Sequence, residues 1–130
     1  MREGWKFLRD VGKLIAFIDK SEFTALGGEL QRSDEEQQRK YDAGVSKAKP
    51  GQSQHQKLKA IDIEFFLGGK WIKTPMRGDF STEREYLDAR VDHKRQLQDI
   101  GEYWESLDSK NAWGGNFVSI YDPNHFERMD

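Results

Sequence analysis

Apolar residues near the start of the chain recur at steps of three and four positions, between Trp5 and Ile18. Such spacing places side chains on one face of an α-helix, so we expect an amphipathic helix with that face buried. The stretch from Phe23 to Gln31 then carries β-favouring residues around two glycines, which predicts a strand. The apolar positions of the first helix are Trp5, Leu8, Val11, Leu14, Ile15 and Ile18.

Two later helices are marked by capping boxes, in which a serine or threonine is followed three residues on by glutamate. The first box opens at Ser33 and predicts a short helix that ends near Gly44. The second opens at Thr82 and predicts a long helix to about Asp108, with His93 facing solvent among charged neighbours. The expected buried positions of this long helix are Tyr86, Leu87, Val91, Leu97, Ile100, Tyr103, Trp104 and Leu107.

Between the helices the pattern changes to short apolar runs that are typical of strands. Residues 60–66 and a second short run flank a glycine turn, which predicts a β-hairpin with Asp62 on a strand. Residues 45–54 lack periodicity and predict an exposed loop, whereas residues 116–121 predict a last strand. Together these elements predict a single α+β domain over residues 1–130, a small antiparallel sheet that carries the functional site and is flanked by helices.

The composition narrows what such a domain does. The 21 basic and 23 acidic residues are interspersed and sum to a net charge of −2, so no basic block indicates nucleic-acid binding. Cysteine is absent, which excludes disulfides and thiolate metal sites and leaves histidine and carboxylates as the strong metal ligands. No apolar run is long enough to span a membrane, and none is followed by a signal-peptide cleavage site. We therefore expect a soluble domain with no nucleic-acid partner and no membrane insertion.

Imidazole and carboxylate groups concentrate in two segments, one with His55 and Asp62 and one with Asp122 and His125. A straight strand from His55 to Asp62 would span ~20 Å and point the two side chains to opposite faces, so the chain must bend there if both bind one metal. Asp122 and His125, three residues apart in a turn, point to the same side. A catalytic zinc site takes three protein ligands and an open position for water, and two histidines with one aspartate are enough for it.

Three motifs surround these groups: a Ser-x-His followed after six residues by Asp, a Trp-Gly-Gly, and an Asp-x-x-His-Phe-Glu. They resemble the zinc peptidases that include D-alanyl-D-alanine carboxypeptidases, D-Ala-D-Ala dipeptidases and bacteriophage L-alanyl-D-glutamate endolysins. The resemblance covers residues 23–127 and departs from the usual pattern at Leu58 and Lys59, where many members have glycine or a small apolar residue. The matching residues are Ser53, His55, Ala60, Asp62, Trp113, Gly114, Gly115, Asp122, His125, Phe126 and Glu127.

The resemblance implies a metal site and a catalytic base. His55, Asp62 and His125 would bind Zn²⁺, and Asp122 would be the base that takes a proton from the bound water. Glu127 is the alternative base. We expect Asp122 instead because it shares the turn with His125, with Glu127 further from the open coordination position.

The resemblance also implies roles in substrate binding for three residues. Arg32 would hold the developing oxyanion or a substrate carboxylate, although Glu35 or Glu36 nearby offers it an ordinary surface ion pair. Ser53 would bind substrate or brace the metal-binding loop. Trp113 would form a wall of the cleft, or else serve as a core tryptophan in a tight turn.

The function that the resemblance implies is zinc-dependent hydrolysis of peptidoglycan stem peptides, and we expect cleavage between L-alanine and D-glutamate in a phage lysis or virion-associated enzyme. The enzyme would be a monomer with peptidoglycan as its partner. It would be made in the host cytoplasm and act in the cell wall once the membrane is permeabilised. The alternatives are D,D-carboxypeptidase or D,D-endopeptidase action, a catalytically inactive wall-binding module, or an interaction module that binds no metal.

Overall fold

A computed structural model of the protein describes residues 3–27 and 59–129. Over these residues the chain forms two α-helices and five strands of one antiparallel sheet, which confirms the predicted α+β fold class. The predicted helix after Ser33 and the predicted loop at 45–54 lie outside the described residues. The elements are α1 (Glu3–Asp19), β1 (Phe23–Gly27), β2 (Ala60–Leu67), β3 (Lys70–Trp71), α2 (Glu83–Leu107), β4 (Asn111–Trp113) and β5 (His125–Arg128).

The sheet runs in the order β1-β2-β5-β4, and β3 pairs with the last residues of β2. The β2–β3 connection is the predicted hairpin, closed by Gly68 and Gly69 at φ 58° and 80°. Two consecutive left-handed residues are what a tight hairpin turn requires, and glycine adopts that conformation without strain. At the opposite end of β2, β5 pairs with the first residues of the strand, so that His125 lies opposite Asp62.

Alternation along the strands gives the sheet an apolar face and a polar face. On β2 the side chains of Ile61, Ile63 and Phe65 are buried towards the helices, while the alternate positions point the other way. The polar face, called the site face below, carries Asp62, Glu64 and Phe66 of β2 and His125 and Glu127 of β5.

The helices cover the apolar face and form the core with it. Trp104 of α2 lies at the centre, in edge-to-face contact with Phe7 of α1 and Phe126 of β5. Its indole Nε1 donates to the carbonyls of Ala112 and Glu127, which ties α2 to β4 and β5. Edge-to-face packing of aromatic rings, together with hydrogen bonds from a buried indole N–H, stabilises the arrangement of neighbouring elements. The site face is therefore supported from behind by α2.

Both described helices were predicted correctly, but parts of their buried faces were not. In α1 the buried side is centred on Phe7 and Leu14, and Trp5, Leu8 and Ile15 are exposed. The apolar stripe in the sequence is wider than the strip that the sheet contacts, so periodicity alone did not fix the rotation of the helix. Within the described residues, no helix is both long and apolar enough to cross a membrane.

In α2 the Thr82 side chain accepts from Glu85 N at 3.1 Å, so the predicted cap is confirmed. Leu87 and Val91 are exposed, and His93, expected to face solvent, is buried with 4% exposure. The prediction for His93 was wrong because its polar ring has a partner from another part of the chain, the Tyr121 hydroxyl. Charged neighbours on either side gave no sign of that contact.

The predicted last strand was also wrong. Residues 116–121 form no strand; the chain makes a short 3₁₀ turn at Gly114–Asn116, and β5 follows at His125–Arg128. The β-favouring residues before Asp122 lie in a connection in which Val118 is fully exposed. The strand forms instead where Phe126 reaches the core between β2 and β4.

Candidate functional site

The structure describes four of the seven predicted site residues: Asp62, Trp113, Asp122 and His125. The other three predicted residues, Arg32, Ser53 and His55, lie outside the described residues, and their roles stay predictions. Asp62, Asp122 and His125 come together at one end of the site face.

Asp62 and His125 face each other across β2 and β5. They are paired in the register of the two strands, so both side chains point to the site face. The Asp62 Oδ1 atom lies 3.2 Å from His125 Nδ1. Two residues that are 63 positions apart in the sequence thus place a carboxylate against an imidazole through strand pairing alone.

Glu127 holds the other side of the imidazole. It lies two residues after His125 on β5, so the period of the strand puts both side chains on the same face. Its Oε1 atom lies 2.6 Å from His125 Nε2. Glu127 was expected to lie further than Asp122 from the open coordination position, and that comparison stays a prediction; the contact of Glu127 with the His125 ring was not foreseen. A strand prediction for residues 125–128 would have placed Glu127 on the same face as His125, but the strand was predicted at residues 116–121.

The pKa of His125 follows from this double contact. Burial by itself lowers the pKa, but the hydrogen bonds with Asp62 and Glu127 outweigh it, and the pKa is raised to about 10. The negative charges of Asp62 and Asp122 act in the same direction, which also shows that Asp122 lies close to the imidazole. Without a metal, His125 is a cation that donates from both ring nitrogens. A metal bound at Nδ1 must displace that proton.

The turn that carries Asp122 is held by backbone contacts. Asp122 N donates to Gly114 O at 3.1 Å, and His125 N donates to Asp122 O at 3.1 Å. A Cβ atom on Gly114 would lie 2.0 Å from the Asp122 carbonyl oxygen, so any other residue there would push the turn away. The Trp-Gly-Gly motif thus serves a close approach between two backbones.

Trp113 lies behind this turn and not on its surface. Its side chain has 0% exposure, and its indole Nε1 donates to Pro123 O at 2.7 Å. Gly101 of α2 and Gly115 leave room for the ring, since a Cβ at either would come within 2.3 Å of it. Such burial does not fit the predicted contact with substrate. It fits the alternative, a core tryptophan in a tight turn that positions Asp122.

Two side chains of α2 that the sequence did not reveal hold the segment between β4 and β5. Glu105 accepts from the backbone N of Trp113 and from Asn116 Nδ2, both at 3.0 Å. Further along the segment, the Tyr121 hydroxyl lies 2.7 Å from Nδ1 of the buried His93. Burial lowers the pKa of His93 and raises that of Tyr121, so both groups stay neutral near pH 7. The Asp122 turn is therefore fixed from both sides.

The described residues fit part of a zinc site. Within residues 3–27 and 59–129, no three His, Cys, Asp or Glu side chains form a group able to hold a metal ion. Asp62 and His125 supply two suitable atoms at 3.2 Å. Two ligands at ~2.1 Å from a tetrahedral zinc ion lie ~3.4 Å apart, so little movement is needed to bind one. The predicted third ligand, His55, is outside the described residues.

Comparison with known proteins identifies a similar fold and a family. The crystal structure of the Serratia marcescens L-Ala D-Glu endopeptidase ChiX is similar in fold, with a TM-score of 0.59 and 17% sequence identity, over 95% of this chain and 77% of that one. No curated protein matches the sequence. A family model described as D-alanyl-D-alanine carboxypeptidase matches residues 46–128, more than half of the chain. The chain therefore belongs to the D-alanyl-D-alanine carboxypeptidase family of peptidases.

Proposed function

We propose that this chain is a zinc-dependent endopeptidase that hydrolyses the bond between L-alanine and D-glutamate in peptidoglycan stem peptides. The observation that carries the proposal is the contact of Asp62 with His125 at 3.2 Å, with Glu127 on the far nitrogen of the imidazole. Metal-binding histidines are commonly oriented in this way by a carboxylate on their second nitrogen. The fold shared with an L-Ala D-Glu endopeptidase supports the choice of bond.

In this proposal His55, Asp62 and His125 hold the zinc ion. A zinc ion held there would supply Lewis-acid chemistry that polarises the substrate carbonyl and makes a water molecule acidic enough to attack near neutral pH. Glu127 keeps the imidazole oriented so that Nδ1 faces Asp62 and the metal position. In the metal-free protein both ring nitrogens of His125 carry a proton. Metal binding would remove the proton on Nδ1, and the Nε2–H that remains would still donate to Glu127.

Asp122 moves the proton. It takes a proton from the attacking water as the water oxygen bonds to the carbonyl carbon of L-alanine. It then gives a proton to the nitrogen of D-glutamate as the C–N bond breaks. Arg32 balances the charge that develops on the carbonyl oxygen. The products are a peptide with a new carboxyl terminus at L-alanine and a peptide with a new amino terminus at D-glutamate.

D,D-carboxypeptidase action on the same polymer is the second candidate. The family model that matches residues 46–128 carries that description, and the same metal and base would serve either bond. The difference lies in the fragment released, which is a single D-alanine in this case. Ser53 and the remaining cleft residues would then bind a terminal carboxylate.

The setting we propose is phage lysis or virion entry, with the cell wall as the site of action and a monomer as the active form. This rests on the similarity of the two ligand motifs to those of phage endolysins. Peptidoglycan is the proposed partner in either case.

The test is digestion of purified peptidoglycan by the zinc-loaded protein, with fragments and new termini identified by mass spectrometry. We expect new L-alanine carboxyl termini from the wild type. Asp122→Asn, which keeps the size of the side chain, should lower the rate by ~100-fold or more, because a positioned acid–base group contributes about that much. Release of D-alanine instead would select the carboxypeptidase candidate.

A matched control is Asp88→Asn on α2, where the carboxylate makes an exposed ion pair with Arg84. Its rate should equal that of the wild type. Absence of cleavage by wild-type protein that binds one zinc ion per chain would contradict the proposed function.

A further inference from the structure

Asn124 lies in the turn between the proposed base Asp122 and the proposed metal ligand His125, and it is bound to β2 in two ways. Its carbonyl oxygen accepts from Ile63 N at 2.8 Å. Its side-chain Nδ2 donates to Glu64 Oε2 at 3.2 Å. The backbone contact holds one peptide group of the turn, and the side-chain contact restricts how Asn124 rotates about it. The turn is therefore joined to β2 by a main-chain bond and a side-chain bond.

The carboxylate of Glu64 is itself held from the hairpin. The indole Nε1 of Trp71, on β3, donates to the same oxygen, Glu64 Oε2, at 2.9 Å. Glu64 is half-buried on the site face, where an unrestrained glutamate would sample several rotamers. The indole and the Asn124 amide together select one of them. We call Trp71, Glu64 and Asn124 the hydrogen-bond chain, because they link β3 to the turn.

The surroundings of Glu64 indicate that it serves as a hydrogen-bond acceptor. The bond from Ile72 N to Phe65 O continues the pairing of β2 beyond β3, which sets Lys73 beside Glu64. Lys73 Nζ, however, lies 3.4 Å from Asp79 Oδ2. Among the described residues, both hydrogen bonds of the Glu64 carboxylate come from neutral donors, and both end on one oxygen. An amide oxygen in the same place can accept the same two bonds.

The hydrogen-bond chain ends close to the proposed chemistry. Glu64 is two residues from Asp62 on β2, so the two side chains share the site face at a spacing of ~7 Å along the strand. His125 has side-chain contacts of its own on both ring nitrogens. A loosened Asn124 should therefore displace Asp122 and leave the metal ligand in place. A displacement of ~1 Å is enough to lower the rate of an enzyme strongly.

We propose that Glu64 is a positioning residue, which sets the position of the base Asp122 through its hydrogen bond with Asn124. Trp71 keeps Glu64 in the orientation that this bond requires. The inference rests on the proposed endopeptidase function, and in it Glu64 touches neither substrate nor metal. It also gives a reason for a tryptophan on β3 that is 49% exposed: the indole N–H group is the part that is used.

Hydrogen exchange of single backbone amides in the full-length protein measures the turn without catalysis. The amide of His125 donates to Asp122 O within the turn, and the amide of Arg128 donates to Lys59 O at the far end of β5. Glu64→Leu should raise the exchange rate at His125 by about tenfold relative to Arg128, the usual worth of a hydrogen bond to a charged group. Equal acceleration at both amides, or none at His125, would overturn the proposal whether or not the chain is a peptidase.

Two conservative variants separate hydrogen bonding from charge. Glu64→Gln keeps the length of the side chain and an oxygen acceptor, so exchange at His125 should stay within about threefold of the wild type. Glu64→Asp keeps the charge but is ~1.5 Å shorter, and it should exchange as fast as Glu64→Leu. Trp71→Phe, which lacks the N–H group, should accelerate exchange by about threefold. Fast exchange in Glu64→Gln with slow exchange in Glu64→Asp would indicate a charge effect and contradict the proposal.

Cleavage of a stem peptide by the zinc-loaded protein gives the effect on catalysis. Glu64→Leu and Asn124→Ala should each lower kcat by about tenfold and leave KM and zinc affinity within about twofold. The double variant should lose no more than either alone, because the two residues act through one bond. Glu102→Leu, on the exposed side of α2, is the control and should match the wild type.

Additive losses in the double variant, or a fall in zinc affinity as large as the fall in kcat, would overturn the positioning role. Failure of the wild type to cleave would reject the peptidase function alone, and the exchange rates at His125 and Arg128 would still decide whether Glu64 holds the turn.

Discussion

The two ends of β2 hold their side chains in different ways. At the Asp62 end, His125 has carboxylates on both ring nitrogens, and the turn before it is anchored to β4 through Gly114 and to α2 through contacts from Trp113 and Tyr121. At the hairpin end, Trp71 is exposed and its side chain has one hydrogen bond, to Glu64. The end proposed for chemistry is thus held by contacts from several elements, whereas the hairpin end has an exposed ring held by one side-chain contact.

This difference predicts large effects from residues that never touch substrate. Gly114→Ala is the strongest case, because its Cβ would lie 2.0 Å from the Asp122 carbonyl oxygen. We expect a loss of unfolding free energy of about 1–3 kcal/mol from overpacking, and a rate loss of ~100-fold from a displaced Asp122. Denaturant titration and peptidoglycan digestion measure the two effects.

The control for Gly114→Ala is Gly78→Ala, where the added Cβ meets nothing within 4 Å. Gly78 lies in the turn before α2 and should tolerate the change in both measurements. If Gly114→Ala kept full activity, the close approach of the two backbones would not be what positions Asp122.

Substitution of Glu127 should have the next largest effect, which is a loss of zinc affinity. Glu127→Ala removes the carboxylate on His125 Nε2, and loss of such a group typically weakens metal binding by about 10–100-fold. Glu127→Gln keeps an acceptor and should fall between that variant and the wild type. Competition with a chromophoric chelator gives the affinities, and Glu102→Ala on the exposed side of α2 is the control. Equal affinities for all of these proteins would remove Glu127 from the metal site.

Substitution of His93 should have the smallest effect, which is a change in how the unfolding free energy depends on pH. Because burial lowers the pKa of His93 below its ordinary value of 6.5, the unfolded chain binds this proton more readily than the folded protein does. The unfolding free energy should therefore fall as the pH drops below about 6.5, by at most ~1.4 kcal/mol per pH unit. His93→Gln should lose that part of the slope in chelator-treated protein between pH 7.5 and 5. A slope identical to that of the wild type would mean that His93 is not held neutral.

Local signals in the sequence were enough for much of the fold and for part of the site. The cap at Thr82 and the glycine turn of the hairpin act within a few residues, and both predictions are confirmed. The pairing of Asp62 with His125 was reached through motifs, and the structure brings these two together. The metal-binding and substrate-binding roles stay predictions, as do those of His55, Ser53 and Arg32.

What the sequence did not reveal depends on contacts between distant segments. His93 was expected outside because its neighbours are charged, yet Tyr121 gives its ring a partner inside. The last strand was expected from β-favouring residues, but the position of Phe126 in the core decided where the strand forms. The contact of Glu127 with His125 was missed for the same reason, since it exists only when the strand is placed correctly.

Side chains of α2 contact both ends of the segment between β4 and β5, so the length of the helix fixes the distance between these two contacts. Glu105 and His93 are twelve residues apart, which corresponds to ~18 Å along the axis, and they hold the two ends of that segment. Inserting one residue between them would rotate one of these side chains by about 100° around the helix axis relative to the other, so one of the two contacts would be lost. Changes of length are better tolerated near Val118, where the chain is exposed. The helix thus determines where this peptidase can gain or lose residues.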